Sequence, residues 1–365
     1  MSERISIIIP TYNERDNVVA LVKRIGHALS DYDYEIVFVD DNSGDGTAEL
    51  AAALAPEYPV KVIVRKNKRG LASAVVDGIS YVTGQVVVVM DADLQHPPEL
   101  LPKLFEQFDT HDLVFATRVK EKGWSLKRKL VSLVANLLAL PLCPRIKDRT
   151  SGFFGFRREA VDAESLSRLG WKIGLEVAVK GRHNSVAQVP YNFALRKHSE
   201  SKLTKRVIWE YLKQLVALYL YKFRILRFML VGASGLVVNL VSLWLIETFV
   251  LQGVFASSLS AALTDYTYLM AFVPAFLLAV VNNYILNSRW TFGERSAGRV
   301  GFPKYLLVAS ATFPLDEVLL YIFTDWIGVW YVLSAAIAII IVFAIRYTAA
   351  DKWIWRQHKP TAATK

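Results

Sequence analysis

A single cysteine, Cys143, stands in 365 residues. One thiol forms no internal disulfide and no zinc cluster, so neither device holds this chain together. The start, MSERISIIIP, lacks the basic n-region and the cleavage site of a signal peptide and runs directly into a strand pattern. The first half is therefore expected on the cytoplasmic side. Charge is scarce over 225–350, and Lys and Arg are wholly absent from the segments 251–267 and 325–328.

What is present divides the chain in two. Hydrophobic residues make up 53% of the chain and mean hydropathy is +0.29, more apolar than an average soluble domain. The excess is local: residues 1–203 read as an ordinary globular protein, whereas 226–250, 268–288, 305–325 and 329–349 are apolar spans long enough to cross a bilayer core. Lys222, Arg224 and Arg227 precede the first span. Arg289, Arg295, Arg299 and Lys304 lie between the second and third, and Arg346, Lys352, Arg356 and Lys359 close the fourth. Basic residues gather on the cytoplasmic side of a membrane, which places both chain ends and the first half there. Trp244, Trp290, Trp326, Trp330, Trp353 and Trp355 suit interfacial belts. The net charge of +10 is concentrated beside these spans, so it indicates a membrane surface rather than nucleic acid. A weak repeat runs through this half: RFMLVGAS (227–234) resembles KYLLVASA (304–311), and NSRWTF (287–292) lines up with ADKWIW (350–355).

The first half alternates strand and helix patterns. The runs ISIIIP (5–10), EIVFVD (35–40), VKVIVR (60–65), VVVVM (86–90) and DLVFATR (112–118) are apolar without alternation. Such strands predict an α/β fold with a mostly parallel sheet covered on both faces. Ligands of these folds gather at the carboxyl ends of the strands. Three of those ends carry polar strings: TYNE after the first, DDNSGDGT after the second and DADLQHPPE after the fourth. Two carboxylates on one short turn, Asp91 and Asp93, suit a hard divalent cation held against a diphosphate.

Taken together, PTYNE (10–14), VDDNSGDGT (39–47), GLASAVVDGI (70–79) and MDADLQHPPE (90–99) resemble the family-2 glycosyltransferases of the GT-A (Rossmann-like) fold. With SGFF (151–154) and RKHSESKL (196–203), the resemblance narrows to the polyprenyl-phosphate sugar synthases, above all the dolichyl-phosphate mannose synthases. It covers about residues 1–203. The four-span tail resembles, more loosely, the GtrA-like membrane domain.

The resemblance implies that Pro10, Tyr12, Glu14, Val39 and Asp41 hold the base and ribose, with Ala92 also on the nucleotide. It implies that Asp91 and Asp93 face the diphosphate and an Mg²⁺ or Mn²⁺ ion, with Gln95 as a further ligand. Arg118 matches an arginine near the reacting phosphates, and Asp93 with Arg118 forms the expected catalytic pair. Arg196 and Lys202 match a basic pair on a loop that closes over the nucleotide, where Ser199 stands in place of the customary glycine. The implied activity is inverting transfer of mannose from GDP-mannose to dolichyl (polyprenyl) phosphate. UDP-glucose synthases share nearly all these motifs, so the donor stays open. A lipid-sugar flippase or scaffold is the reading from another class, and no obligatory protein partner is evident. The Gln-x-x-Arg-Trp string of processive polysaccharide synthases is missing.

A phosphate monoester is largely ionised near neutral pH and needs little help from a base. Glu176 is accordingly read as a supporting polar residue and His96 as a turn or supporting residue. In 124–142, Leu126, Leu130, Leu133, Leu137 and Leu140 recur at three- and four-residue steps behind Lys127, Arg128 and Lys129. That is the pattern of a helix in the membrane interface. Arg128 and Ser132, four apart, share a face suited to the acceptor phosphate. The expected layout is a catalytic domain over 1–203 containing that helix. An amphipathic helix over 204–224, a four-span domain over 225–355 and a basic tail over 356–365 follow.

Overall fold

The computed structural model describes residues 3–67, 70–121, 126–168, 170–193, 205–254, 267–295, 297–298 and 300–356. The chain forms two compact units, Met1–Lys222 and Phe223–Lys365.

Among the described residues of the first unit, seven strands make one sheet. They are β1 (Ile5–Thr11), β2 (Tyr34–Asp40), β3 (Val60–Val64), β4 (Val86–Val89), β5 (Leu113–Glu121), β6 (Phe154–Arg157) and β7 (Val186–Phe193), in the order β3-β2-β1-β4-β6-β5-β7. β1 pairs in parallel with β2 and β4, β2 with β3, and β5 with β7. The apolar runs do not alternate because both faces are covered: Ile7, Ile8 and Ile9 are all fully buried. Helices α1 (Arg15–Ala28), α2 (Thr47–Ala53), α3 (Leu71–Ile79) and α4 (Leu101–Phe105) follow the first strands. α3 lies so close to the sheet that a Cβ on Gly78 would stand 2.9 Å from Ile8 Cγ2.

β6 is the exception, antiparallel to both β4 and β5. Its reversal has a geometric effect. The carboxyl ends of β1, β2, β4, β5 and β7 share one sheet edge, and the amino end of β6 joins them there. The segment 143–153 is thereby delivered to the edge that carries the DAD turn. Neither β6 nor β7 stood out in the sequence, because β6 is only four residues long and β7 contains Pro190.

The described residues of this unit form three further α-helices: α5 (Leu126–Ala139), α6 (Ile173–Lys180) and α7 (Lys205–Lys222). α5 and α7 are tied by Tyr211 Oη donating to the Ala135 carbonyl at 2.8 Å and Tyr219 Oη to the Leu138 carbonyl at 2.7 Å. Leu126, Leu130, Leu133, Leu137 and Leu140 of the expected apolar stripe are exposed, as are Trp209 and Val216 of α7.

Among the described residues of the second unit, four helices are long and apolar enough to cross a membrane: Arg224–Phe249, Met270–Thr291, Gly301–Trp326 and Tyr331–Ile354. The α-helical cores are α8 (Arg224–Leu245), α9 (Thr267–Leu286), α10 (Gly301–Tyr321) and α11 (Tyr331–Ala349). π-helical turns such as Asn287–Thr291 and Ala350–Ile354 lengthen them beyond the apolar runs. The repeat is visible in the packing. Phe228 meets Tyr347 with ring centroids 5.4 Å apart, and their counterparts Tyr305 and Tyr284 meet at 5.7 Å. Phe292 and Trp355, equivalent to each other, stack at 4.8 Å. Deeper in the helices, Asn283 packs over Gly235, and the corresponding Arg346 donates from Nε to Thr312 Oγ1 at 2.7 Å.

A buried carboxylate fixes the far edge of the sheet. Glu35 on β2 is 1% exposed. It accepts from Ser6 Oγ on β1 at 2.7 Å, from Thr83 N at 2.6 Å and from Lys61 Nζ on β3 at 2.7 Å. Burial pushes its carboxyl up, but Lys61 and these hydrogen bonds outweigh burial and hold it at about 2. Its ordinary value is about 4.3, so its stabilisation is complete above that pH and fades as pH falls toward the folded value. Glu35→Gln is expected to lower the melting temperature near neutral pH, with the gap to wild type closing between about pH 4 and about pH 2. Thermal unfolding across that range checks it; a gap independent of pH would contradict this role.

Candidate functional site

Three strand ends shape one side of the site, and each turn passes through a left-handed residue. Asn13 after β1 has φ 55°, Asn42 after β2 has φ 57°, and Leu94 after β4 has φ 61°. Asparagine tolerates this region; leucine does so only where the surroundings demand it. The first two turns are laced together. Asn13 N donates to Ser43 Oγ at 2.8 Å, Glu14 N to Thr47 Oγ1 at 2.9 Å, and Gly44 N to Asn13 Oδ1 at 3.2 Å. Asp40 is buried and accepts from Thr11 Oγ1 at 2.9 Å and Ser43 N at 2.7 Å, so it ties the strands rather than facing a ligand. Pro10 and Val39 are buried in the strand ends, while Tyr12 is exposed at the rim.

Asp41 is held by a buried arginine. Arg65 donates to it from Nε at 2.8 Å and from Nη2, and Gly70 N donates to its other oxygen at 2.8 Å. Arg65 also reaches Ser73 Oγ at 2.9 Å and Asp77 Oδ2 at 3.2 Å, and Arg168 grips Asp77 from outside. The network links β2, β3 and the start of α3, which fixes where the Asp41 carboxylate stands.

At the DAD turn, Ala92, Asp93 and Gln95 are buried, whereas the Asp91 side chain is 40% exposed. Gln95 N donates to Asp93 Oδ1 at 3.1 Å. His96 is buried and stacks on Phe153 with centroids 5.1 Å apart. Its Nδ1 accepts from Asp91 N at 3.0 Å, and burial pushes its pKa below the ordinary range. It is therefore a neutral support for the turn. Gly152 lets the segment before β6 come close: a Cβ there would lie 3.3 Å from Asp91 Oδ2.

That segment builds the other side. Arg118 near the end of β5 grips Asp148 with two parallel bonds, Nε to Oδ2 at 2.6 Å and Nη2 to Oδ1 at 2.7 Å. Burial raises the Asp148 carboxyl, but the guanidinium outweighs it and holds it below the usual range. Arg118 Nη2 also donates to Thr150 Oγ1 at 3.0 Å, and Asn136 of α5 donates to the same oxygen at 3.2 Å. Asn136 lies one turn beyond Ser132, so Ser132 and Arg128 belong to the helix that this node anchors. Lys172, just before α6, donates to the Thr150 carbonyl at 2.8 Å. A cavity of 460 Å³ lined by Arg118, Asn136, Lys147 and Asp148 opens beside the pair.

The structure thus brings Tyr12, Glu14, Asp41, Asp91, Asp93, Gln95 and Arg118 to one sheet edge, with the helix of Arg128 and Ser132 alongside. Arg196 and Lys202, with Ser199, lie outside the described residues. Glu176 is 1% exposed and accepts from Ser167 N and Lys180 Nζ, both at 2.6 Å, which makes it a structural carboxylate. Asp148, Thr150, Asn136 and Lys172 were not read from the sequence. One signal was there: KDRT (147–150) is a polar string wedged between the leucine-rich helix and SGFF.

Residues 6–164 match glycosyl transferase family 2, and residues 227–355 match the GtrA/DPMS transmembrane domain. Over 365 aligned residues the chain is 38% identical to a dolichol-phosphate mannosyltransferase of Pyrococcus furiosus, covering 96% of this chain and 99% of that one. A dolichol-phosphate mannosyltransferase of Saccharomyces cerevisiae is 39% identical over 266 residues, covering 68% of this chain and 96% of that one. A solved structure of mannosyl-3-phosphoglycerate synthase from Rubrobacter xylanophilus superposes with a TM-score of 0.47 at 21% identity, covering 60% of this chain and 74% of that one.

Asp148→Asn takes from Arg118 the carboxylate it grips on two sides. Breaking a buried ion pair from one end costs about 3–5 kcal/mol, so the variant should melt clearly below wild type. A melting temperature unchanged near neutral pH would show that the pair does not organise this side of the site.

Proposed function

This chain belongs to the dolichol-phosphate mannosyltransferase family, and on that premise we propose that it transfers mannose from GDP-mannose to dolichyl (polyprenyl) phosphate. It is an inverting glycosyltransferase and an integral membrane protein. The observation that carries the reading is the meeting, at one sheet edge, of an acidic turn with an arginine node that anchors an exposed apolar helix. An acidic turn suits a metal–diphosphate; a cationic site beside a membrane-seeking helix suits a lipid phosphate.

On the donor side, Tyr12 and Glu14 at the rim and Asp41, fixed by Arg65, take the base and ribose, with Pro10, Val39 and Ala92 shaping the walls. The residues fit a divalent cation: the donor set of Asp91, Asp93 and Gln95 is all oxygen, and Asp91 is open to the site. No group of three or more His, Cys, Asp or Glu that could hold a metal ion occurs among the described residues. Such a site suits Mg²⁺ or Mn²⁺ shared with substrate phosphates rather than caged by protein. When bound, the ion would neutralise charge on the departing diphosphate.

On the acceptor side, Arg118, Arg128 and Ser132 hold the phosphate monoester. It is already ionised, so the protein has no base to supply. These residues align its oxygen behind the anomeric carbon, and a single displacement inverts that centre. Arg196 and Lys202, by resemblance, close over the nucleotide. The exposed leucines of α5 and the exposed face of α7 lie in the membrane interface, where the lipid chain is already dissolved.

Turnover of the detergent-purified protein with each sugar nucleotide and a polyprenyl phosphate tests this reading. GDP-mannose should be consumed, GDP should raise the melting temperature more than UDP, and Asp93→Asn should lower kcat by roughly 10³-fold or more. Preference for UDP-glucose overturns the donor, and an undiminished Asp93→Asn overturns the metal site.

The distribution of Lys and Arg supports cytoplasmic termini and a cytoplasmic catalytic unit. Cys143 is buried, so added cysteines report their own position. In sealed vesicles, an impermeant thiol reagent on the cytoplasmic face should label Glu294→Cys and not Leu251→Cys. The opposite pattern reverses the orientation.

A further inference from the structure

Lys172 has no part in the scheme above, yet its side chain is directed into the site. Its backbone is held from behind. The Lys172 carbonyl accepts from Leu175 N at 3.1 Å and from Gln214 Nε2 of α7 at 3.2 Å. Two residues earlier Gly170 takes φ 107°, and a Cβ there would meet Gln214 Oε1 at 2.8 Å. The chain is thus pressed against α7, and the lysine leaves it on the other side. Nζ then donates to the Thr150 carbonyl at 2.8 Å.

An ammonium carries three protons to donate. Among the described residues the Thr150 carbonyl is the one acceptor this ammonium has, and no carboxylate stands within ion-pairing distance of it. Among the described residues, the charged and titratable groups that act on it electrostatically include Arg118 of β5, Arg128 of α5, Asp91 after β4, Asp148 of the segment before β6, and His96. Burial, then Arg118, pushes the lysine pKa down to about 8, and Asp91 and Asp148 offset this only in part. A partly buried cation beside two arginines, with two protons to spare, is placed to receive an anion.

Two phosphates are to be considered, the departing diphosphate and the attacking monoester. Thr150 decides between them. Its hydroxyl receives Arg118 and Asn136 and its carbonyl receives Lys172, so the lysine shares one residue with the acceptor-side groups. Asp91, on the diphosphate side, acts on it through longer-range charge.

We propose that Lys172 is a binding residue for the acceptor, donating its remaining protons to oxygens of the phosphate monoester dianion. The proposal rests on the reading of the preceding section. A dianion within reach favours the charged ammonium and reverses the penalty that burial imposes.

The test uses the full chain in detergent, with Lys172→Met and Lys172→Arg compared to wild type. Losing one charge-assisted contact should raise KM for polyprenyl phosphate roughly ten- to hundredfold in Lys172→Met, and Lys172→Arg should restore most of it. The melting shift produced by GDP should stay unchanged in both. A second reading does not depend on how well the methionine variant folds. In wild type, kcat/KM for the acceptor should fall above about pH 8, and in Lys172→Arg that fall should move to higher pH, because guanidinium does not titrate there. An unchanged acceptor KM in Lys172→Met, an equal loss of the GDP shift, or an alkaline fall that stays put in Lys172→Arg overturns the proposal. Wild-type protein that turns over no sugar nucleotide with polyprenyl phosphate removes instead the reading beneath it.

Discussion

The two parallel bonds between Arg118 and Asp148 are the constraint on which the arginine side of the site depends. A planar guanidinium and a planar carboxylate fix both distance and orientation, which a lysine in place of the arginine would not do. One partner sits on a strand, the other on an irregular segment that has no strand ladder of its own to define it. Through Thr150 the same pair sets α5 by way of Asn136 and receives Lys172 from the start of α6. Four parts of the chain, distant in sequence, thus take their positions from one ion pair. Buried ion pairs add little net stability because both charges lose water, so the return here is definition of place.

The two sides of the site are built by opposite methods. The acidic side rests on regular strand ends and on turns that pass through left-handed residues at Asn13, Asn42 and Leu94, with acidic groups presented toward solvent or laced to neighbours. The other side rests on cations clustered around a loop. Negative and positive groups therefore face each other across one sheet edge. Both halves meet there only because β6 runs against its neighbours.

Much of this was legible in the sequence where chemistry and periodicity coincide. Unbroken apolar runs ending in TYNE, DDNSGDGT and DADLQHPPE announce a covered parallel sheet with its ligands at one edge. The four apolar spans are equally plain, although their helices run on into π-helical turns whose polar residues hide the true ends. What stayed hidden depends on contacts between distant segments. Nothing in FGFR marks a strand, since four residues give no period, and its pairing comes from β4 and β5. Asp148 and Lys172 look like ordinary surface charges until Arg118 and Thr150, far away in the chain, are brought beside them. Glu176 shows the reverse case: an acidic residue in an apolar string, read as a supporting residue, is held by bonds to Ser167 and Lys180.

The matched contacts of the membrane unit bear on how far its two halves can differ. Phe292 stacked on Trp355, with Phe228–Tyr347 mirrored by Tyr305–Tyr284, is the arrangement of a two-fold dimer of helical hairpins. Here both hairpins belong to one polypeptide. Fusion releases a constraint that true dimers obey. In a symmetric dimer every substitution appears twice, so a residue suited to one half is forced on the other. Once joined, the halves change independently. Asn283 over Gly235 in one hairpin and Arg346 on Thr312 in the other are the same position after that release, one keeping a neutral contact and the other carrying a charge between the helices.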